Sequence, residues 1–154
     1  MDLETAKSYK YLGIEEADGI QQEIMKTKLQ MEFTRRARMI LGSELNGNNK
    51  VIAINSYAVP VIQYSFGIIN WKLEEIRKID RKFRKLLTMH GLHNPKADVD
   101  RLYVNRQMGG RGLIQIEAAF TKAIIGLAFY PTENKNQLMQ ISKQHECCWK
   151  ETNN

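Results

Sequence analysis

Between Trp71 and Thr88 the chain sorts its side chains into two sets that do not interleave. At about 100° per residue, Leu73, Ile76, Ile79, Phe83, Leu86 and Leu87 fall on one arc of a helix, and Arg77, Lys78, Arg81, Lys82, Arg84 and Lys85 fall on the other. A strand would mix the two sets, so the segment is constrained to a helix whose apolar arc must be covered by other elements. Its ends agree with the helix macrodipole: Asn70 is placed to cap it, Glu74 and Glu75 stand in its first turns, Lys85 lies near its end, and Gly91 follows. The cations of the polar arc repel one another, and Asp80 is spaced to reach only Arg77 and Arg84.

The neighbouring segments supply the cover. From about Ile20 to Leu41, Met25, Leu29, Phe33, Ala37 and Ile40 recur at steps of four and three, with Gly42 as a stop. Lys28, Arg35 and Arg38 lie opposite that stripe and Arg36 at its edge, so two basic helix faces are expected to line one groove. Ser43 to Lys50 reads as a loop. A helix starting near Asn49 should be the central core element, because Val51 to Ile69 is apolar almost all round; Pro60 would kink or break it. Ala97 to Ile116 predicts a short helical turn, then a small hairpin in which Leu102 to Val104 and Leu113 to Ile116 flank a Gly-rich connection. Tyr9 to Ile14 predicts a short strand leaving through Glu15 to Gly19 into a helix, and Glu117 to Tyr130 an apolar helix ending before Pro131. The expected fold is therefore mainly α: a helical bundle with a short N-terminal strand and a small β-hairpin, followed by a polar tail.

Composition narrows the function classes. At 154 residues the chain is one domain in size, and 23 Lys and Arg against 17 Asp and Glu give a net charge of +6, which favours polyanionic partners such as nucleic acid or anionic membrane. No apolar run approaches the roughly 18 residues of a membrane span. The opening residues show no basic region followed by an apolar one, so an intracellular location is expected. Cys147 and Cys148 are adjacent and frame neither a disulfide scaffold nor a paired C-x2-C metal site. His90 and His93 read as loop residues, and Asp98 and Asp100 as a helix cap with local ion pairs to Lys96 and Arg101. Gly109 to Gly112 lacks the Lys-Ser/Thr of a phosphate loop; its glycines suit positive φ, leaving Arg111 free to reach an anion. No catalytic nucleophile and no cofactor site is visible. On the residues alone the basic faces stay open to two readings, a solvated helix surface or a sequence-independent nucleic-acid contact.

Read in order, YKYLGI (Tyr9 to Ile14), Arg35-Arg36-x-Arg38, the stretch Glu44 to Trp71, DRKFRKLLTMHG (Asp80 to Gly91), ADVDRLYV (Ala97 to Val104) and GGRGL (Gly109 to Leu113) resemble the region after the palm in reverse transcriptases of non-LTR (LINE-type) retrotransposons. The resemblance covers about Tyr9 to Ile141. It implies that residues 1–16 are a remnant of the palm edge, that residues 17–130 form a thumb-like helical domain, and that residues 131–154 are a polar tail. It also implies a partner: RNA, DNA or their hybrid, held by its backbone. The candidate contacts are Lys28, Arg35, Arg36, Arg38, Arg77, Lys78, Arg81, Lys82, Arg84, Lys85 and Arg111.

The departures carry equal weight. Such polymerases bind two Mg2+ on palm aspartates, including an aromatic-x-Asp-Asp motif, whereas the aspartates here are Asp2, Asp18, Asp80, Asp98 and Asp100, with no adjacent pair. The chain is expected to be inactive as a polymerase on its own. Two other readings stand beside nucleic-acid binding: a module that associates with itself or with a separate palm and fingers portion, and a retroelement remnant without function. The resemblance implies work on nuclear DNA, although no discrete import signal is present.

Overall fold

The computed structural model describes the backbone of residues 9–11, 14–17, 19–20 and 22–133 and the side chains of residues 22–130. It is mainly helical. Helix α1 (Gln22–Leu41) buries Met25, Phe33, Ala37 and Ile40 of the stripe set by its spacing and half-buries Leu29; Leu41 is buried beside them, and Gly42 follows its last turn. Phe33 meets Phe83 of α4 (Leu73–Met89) edge-on, with ring centroids 5.1 Å apart, so the apolar arcs of the two helices face each other. Ile76, Ile79, Phe83, Leu86 and Leu87 are buried as their period requires, whereas Leu73, in the first turn, keeps 40% of its surface exposed.

The central element differs from one continuous helix. It starts at Asn46, whose side chain accepts from the Asn49 N–H at 2.8 Å, and runs as α2 (Gly47–Ala53). It then widens into a π turn over Ile54–Ala58, in which the Val59 N–H reaches back to the Ile54 carbonyl, and resumes as α3 (Val59–Gln63). Pro60 explains the widening: it offers no N–H and its ring crowds the preceding turn, so the backbone bond shifts by one residue just before it. Ile54, Ala58, Val59 and Ile62 are almost wholly buried.

The helix does not continue to Ile69. After Gln63 the backbone closes into turns around Ser65, which is 1% exposed. Its hydroxyl donates to the Ile62 carbonyl at 2.7 Å and accepts the Trp71 indole N–H at 2.9 Å. This bond fixes Trp71 in the core ahead of α4. The cap of α4 is also not Asn70, whose N–H is taken by the Gln22 side chain at 2.9 Å. Lys72 stands at that position instead, and Glu75 reaches back to its N–H at 2.9 Å.

The expected hairpin is absent. Helix α5 (Asp100–Tyr103) takes up the residues read as its first strand, because the Asp98 side chain accepts the Asp100 N–H and starts a helical turn. A 3-10 turn (Arg106–Met108) follows, and the segment closes by bonds from Arg111 N–H to Arg101 O, Gly112 N–H to Val104 O and Leu113 N–H to Leu102 O, all at 2.9–3.0 Å. Leu102 and Leu113 are thereby buried side by side in an irregular but hydrogen-bonded loop. The final helix, α6 (Ile116–Glu133), runs through Pro131 rather than stopping before it.

Upstream of α1, β1 (Tyr9–Tyr11), β2 (Ile14–Ala17) and β3 (Gly19–Ile20) pair antiparallel in that order, with Tyr9 opposite Glu16. The acidic segment expected to turn into the helix is thus extended. Leu12 and Gly13 of the Tyr9 to Ile14 segment, and the tail beyond Glu133, lie outside the described residues.

Candidate nucleic-acid interface

The polar arc of α4 resolves into two kinds of cation. Lys78, Arg81, Lys82 and Lys85 are exposed at spacings of three and four, on the side of the helix opposite Ile79 and Phe83. The Arg81 Nε donates to the Arg77 carbonyl at 3.3 Å. The three lysines make no hydrogen bond or ion pair with any described residue, so their charge is left to solvent or to a ligand. At a rise of about 1.5 Å per residue the four heads spread over about 10 Å of helix.

Arg77 and Arg84 belong to the fold. The Arg77 Nε donates to Glu117 Oε1 of α6 at 2.9 Å and its Nη1 lies 3.5 Å from Glu74, pairings that raise its pKa. Arg84 pairs with Asp80, of which only 3% of the side chain is exposed, and also donates to the Tyr103 hydroxyl at 3.3 Å. Burial pushes the Asp80 carboxyl above its ordinary range, against the pull of Arg84 and Tyr103. The polar arc is therefore not a uniform solvated face: its edge cations stitch α4 to α5 and α6.

On α1 the same division appears. Arg35 grips Glu32 through two N–H bonds of 2.8 Å, and Arg36 takes the same carboxylate at 2.7 Å. Together they hold the Glu32 carboxyl down to about 2. Arg36 also donates to the Tyr57 carbonyl at 3.1 Å and stacks over the Tyr57 ring at 4.4 Å, tying α1 to the π turn. Lys28 and Arg38 are exposed on the outer side. The basic faces of α1 and α4 each lie opposite the buried faces by which the two helices meet, so they point outward and do not enclose a groove between them.

Arg111 stands apart from both. It lines a cavity of about 530 Å³ with Arg101, Arg106 and His93, none of which the spacing of the sequence singled out for binding, because they share no face of any one element. Lys26 was likewise unanticipated: only 6% exposed, it bonds Glu23 at 3.3 Å and Glu75 at 3.0 Å and lies 5.7 Å from the centre of the Trp71 ring. Among the described residues no group of three His, Cys, Asp or Glu side chains is placed to hold a metal, and no helix is long and apolar enough to cross a membrane. No protein-family model, curated protein or solved structure matches the chain.

Proposed function

We propose that this chain is a nucleic-acid-binding, thumb-like fragment of a non-LTR reverse transcriptase, which holds the backbone of RNA, DNA or their hybrid and does not itself polymerise. The observation that carries the reading is the row Lys78, Arg81, Lys82 and Lys85: four exposed cations on one helix face, none of them in an ion pair with a described residue. A span of about 10 Å corresponds to about three nucleotides of one strand at 3.4 Å each. The ordered resemblance of the chain to the post-palm region supports the same partner, and the lack of an adjacent aspartate pair supports the absence of polymerase chemistry.

Backbone contacts of this kind release counterions, so affinity for a duplex should fall steeply with salt. Fluorescence anisotropy with an RNA/DNA hybrid, from about 50 to 200 mM salt, should give a log-log slope of about −3 to −4. Lys78→Gln, Lys82→Gln and Lys85→Gln together should bring it to about −1, whereas Lys122→Gln, Lys135→Gln and Lys143→Gln, with the same change in net charge, should leave it unchanged. Equal losses from both triple variants would reduce the interaction to net charge and refute a defined face.

A second reading is favoured by α6. Ile124, Ile125, Leu127, Phe129 and Tyr130 keep 42–59% of their surface exposed, more apolar area on consecutive turns than a solvated helix ordinarily presents. Spread around α6, these side chains suit self-association or a separate palm and fingers portion, and sedimentation that varies with protein concentration at high salt, abolished by Ile125→Lys, is its test.

A further inference from the structure

We infer that the cavity between the start of α2 and the loop after α5 is a phosphate-binding pocket. Arg101, Arg106 and Arg111 line it together with His93, Asn48 and Asn94, around a volume of about 530 Å³. Its electrostatics are one-sided. Three arginines face a single carboxylate in the wall, Asp98, and Arg106 and Arg111 form no ion pair with any described residue. Arg101 spends one donor on the Gly109 carbonyl at 3.4 Å and keeps the rest of its fork. The Asn94 side-chain oxygen accepts the Lys96 N–H at 3.0 Å, which leaves its amide N–H groups as donors. His93, 9% exposed, hydrogen-bonds no described residue.

Three arginines lining one cavity give it a net positive charge, and a site so rich in donors is complementary to an anion with several oxygens. A phosphate meets that requirement better than a carboxylate, because its tetrahedral oxygens can accept from forks arriving at different angles. The arginines are carried on a fixed frame. Gly109 and Gly112 hold φ of 82° and 71°, and Gly110 lies against the Val104 carbonyl so closely that no side chain fits. Arg111 extends across to Gly47, where a Cβ would lie 3.9 Å from its Nη1. The volume exceeds one phosphate group, so the occupant is a phosphoryl group attached to a larger body: the 5′ end of a nucleic acid strand or a free nucleotide.

The test is amide and imidazole NMR on the whole chain, titrated with pyrophosphate and then with matched oligonucleotides carrying a 5′-phosphate or a 5′-hydroxyl. Saturable shifts confined to residues 47–48 and 93–112, half-complete below about 1 mM, are expected. Arg106→Gln with Arg111→Gln, both exposed and free of ion pairs with the described residues, should weaken binding at least about tenfold without lowering Tm. Tighter binding of the 5′-phosphate strand assigns the pocket to nucleic acid ends, and equal binding of both strands with retained pyrophosphate binding assigns it to free phosphoryl compounds. No saturation by about 10 mM in a folded chain, or undiminished binding by the double variant, would overturn the proposal. The pocket lies outside the α4 row, so the Lys78, Lys82 and Lys85 variant should still take up pyrophosphate even if that row binds nothing.

Discussion

The Tyr103 hydroxyl lies 3.1 Å from Asp80 Oδ2, and through it the short helix α5 is hydrogen-bonded to the buried edge of α4. Asp80 is almost wholly enclosed, and Arg84 supplies its counter-charge. Arg84 and its neighbour Lys85, alike in the sequence, therefore have opposite roles.

Removing Arg84 would strand a buried carboxylate. Arg84→Ala should lower unfolding stability by about 3–5 kcal/mol, whereas Lys85→Ala should change it by less than about 0.5 kcal/mol. Urea denaturation of the two variants side by side checks this, and equal midpoints would contradict the assignment of Arg84 to the fold.

Tyr103 gives an alkaline signature. Burial first, and Asp80 next, push its phenol up to about 12 from an ordinary value of 10. A raised folded pKa favours the protonated form, so this contribution to stability is complete below pH 10 and is lost as pH rises through about 12. Absorbance titration should show one late phenol that is missing in Tyr103→Phe, and that variant should lose stability less steeply between those pH values.

Lys26 and Glu75 give signatures at both ends of the pH range. Burial lowers the Lys26 pKa, but its bonds to Glu75 and Glu23 outweigh this and leave it raised. Burial raises the Glu75 carboxyl, yet the Lys72 N–H and Lys26 prevail and leave it lowered. The pair therefore stabilises the fold between the ordinary Glu and Lys ranges; the contribution fades as acid protonates Glu75 and as alkali discharges Lys26. Lys26→Met, which keeps an unbranched side chain at the buried site, should cost about 1–3 kcal/mol at neutral pH. Lys26→Met with Glu75→Gln should recover part of that and flatten the stability profile, as measured by thermal unfolding from acid to alkaline pH.

Two glycines should respond in opposite directions. At Gly110 a Cβ would be driven into the Val104 carbonyl, so Gly110→Ala should cost at least about 2 kcal/mol. Around Gly126, inside α6, nothing among the described residues lies within 4 Å of a new Cβ, so Gly126→Ala should stabilise by about 0.5–1 kcal/mol. Differential scanning calorimetry of the two variants reads both signs.

The arc of α4 could be read from the sequence because both its sets obey the same period, and α1 for the same reason. The features that could not be read depend on partners far along the chain. Nothing local marks Lys26 for burial, since Glu75 and Trp71 become its neighbours only when α1 packs on α4. Spacing identified Asp80 as a partner of Arg84, but not that Tyr103 would enclose the pair and withdraw Arg84 from the polar face. Leu102 and Leu113 alternate as in a hairpin, yet the Asp98 side chain turns the backbone into a helix before a strand can start. The cavity arginines, five residues apart, share no face of any regular element, and only the fold of the glycine loop brings them together.

Asn55 sits inside the π turn, where its amide donates to the Gly112 carbonyl at 2.8 Å and accepts the Ile114 N–H at 3.0 Å. One side chain thus acts as a splint for the entry to α6, and its aim depends on the extra residue that the π turn inserts. Deleting any one of Ile54 to Ala58 would let the helix close at regular pitch with its upstream and downstream halves still in phase, at the cost of that aim. A deletion in the regular turns of α2 or α3 would instead rotate everything beyond it by about 100°, so these five positions are where the helix absorbs a change in length. An alignment of this chain with one that has a regular helix here must open a one-residue gap within Ile54 to Ala58, or it assigns the residues beyond to the wrong face.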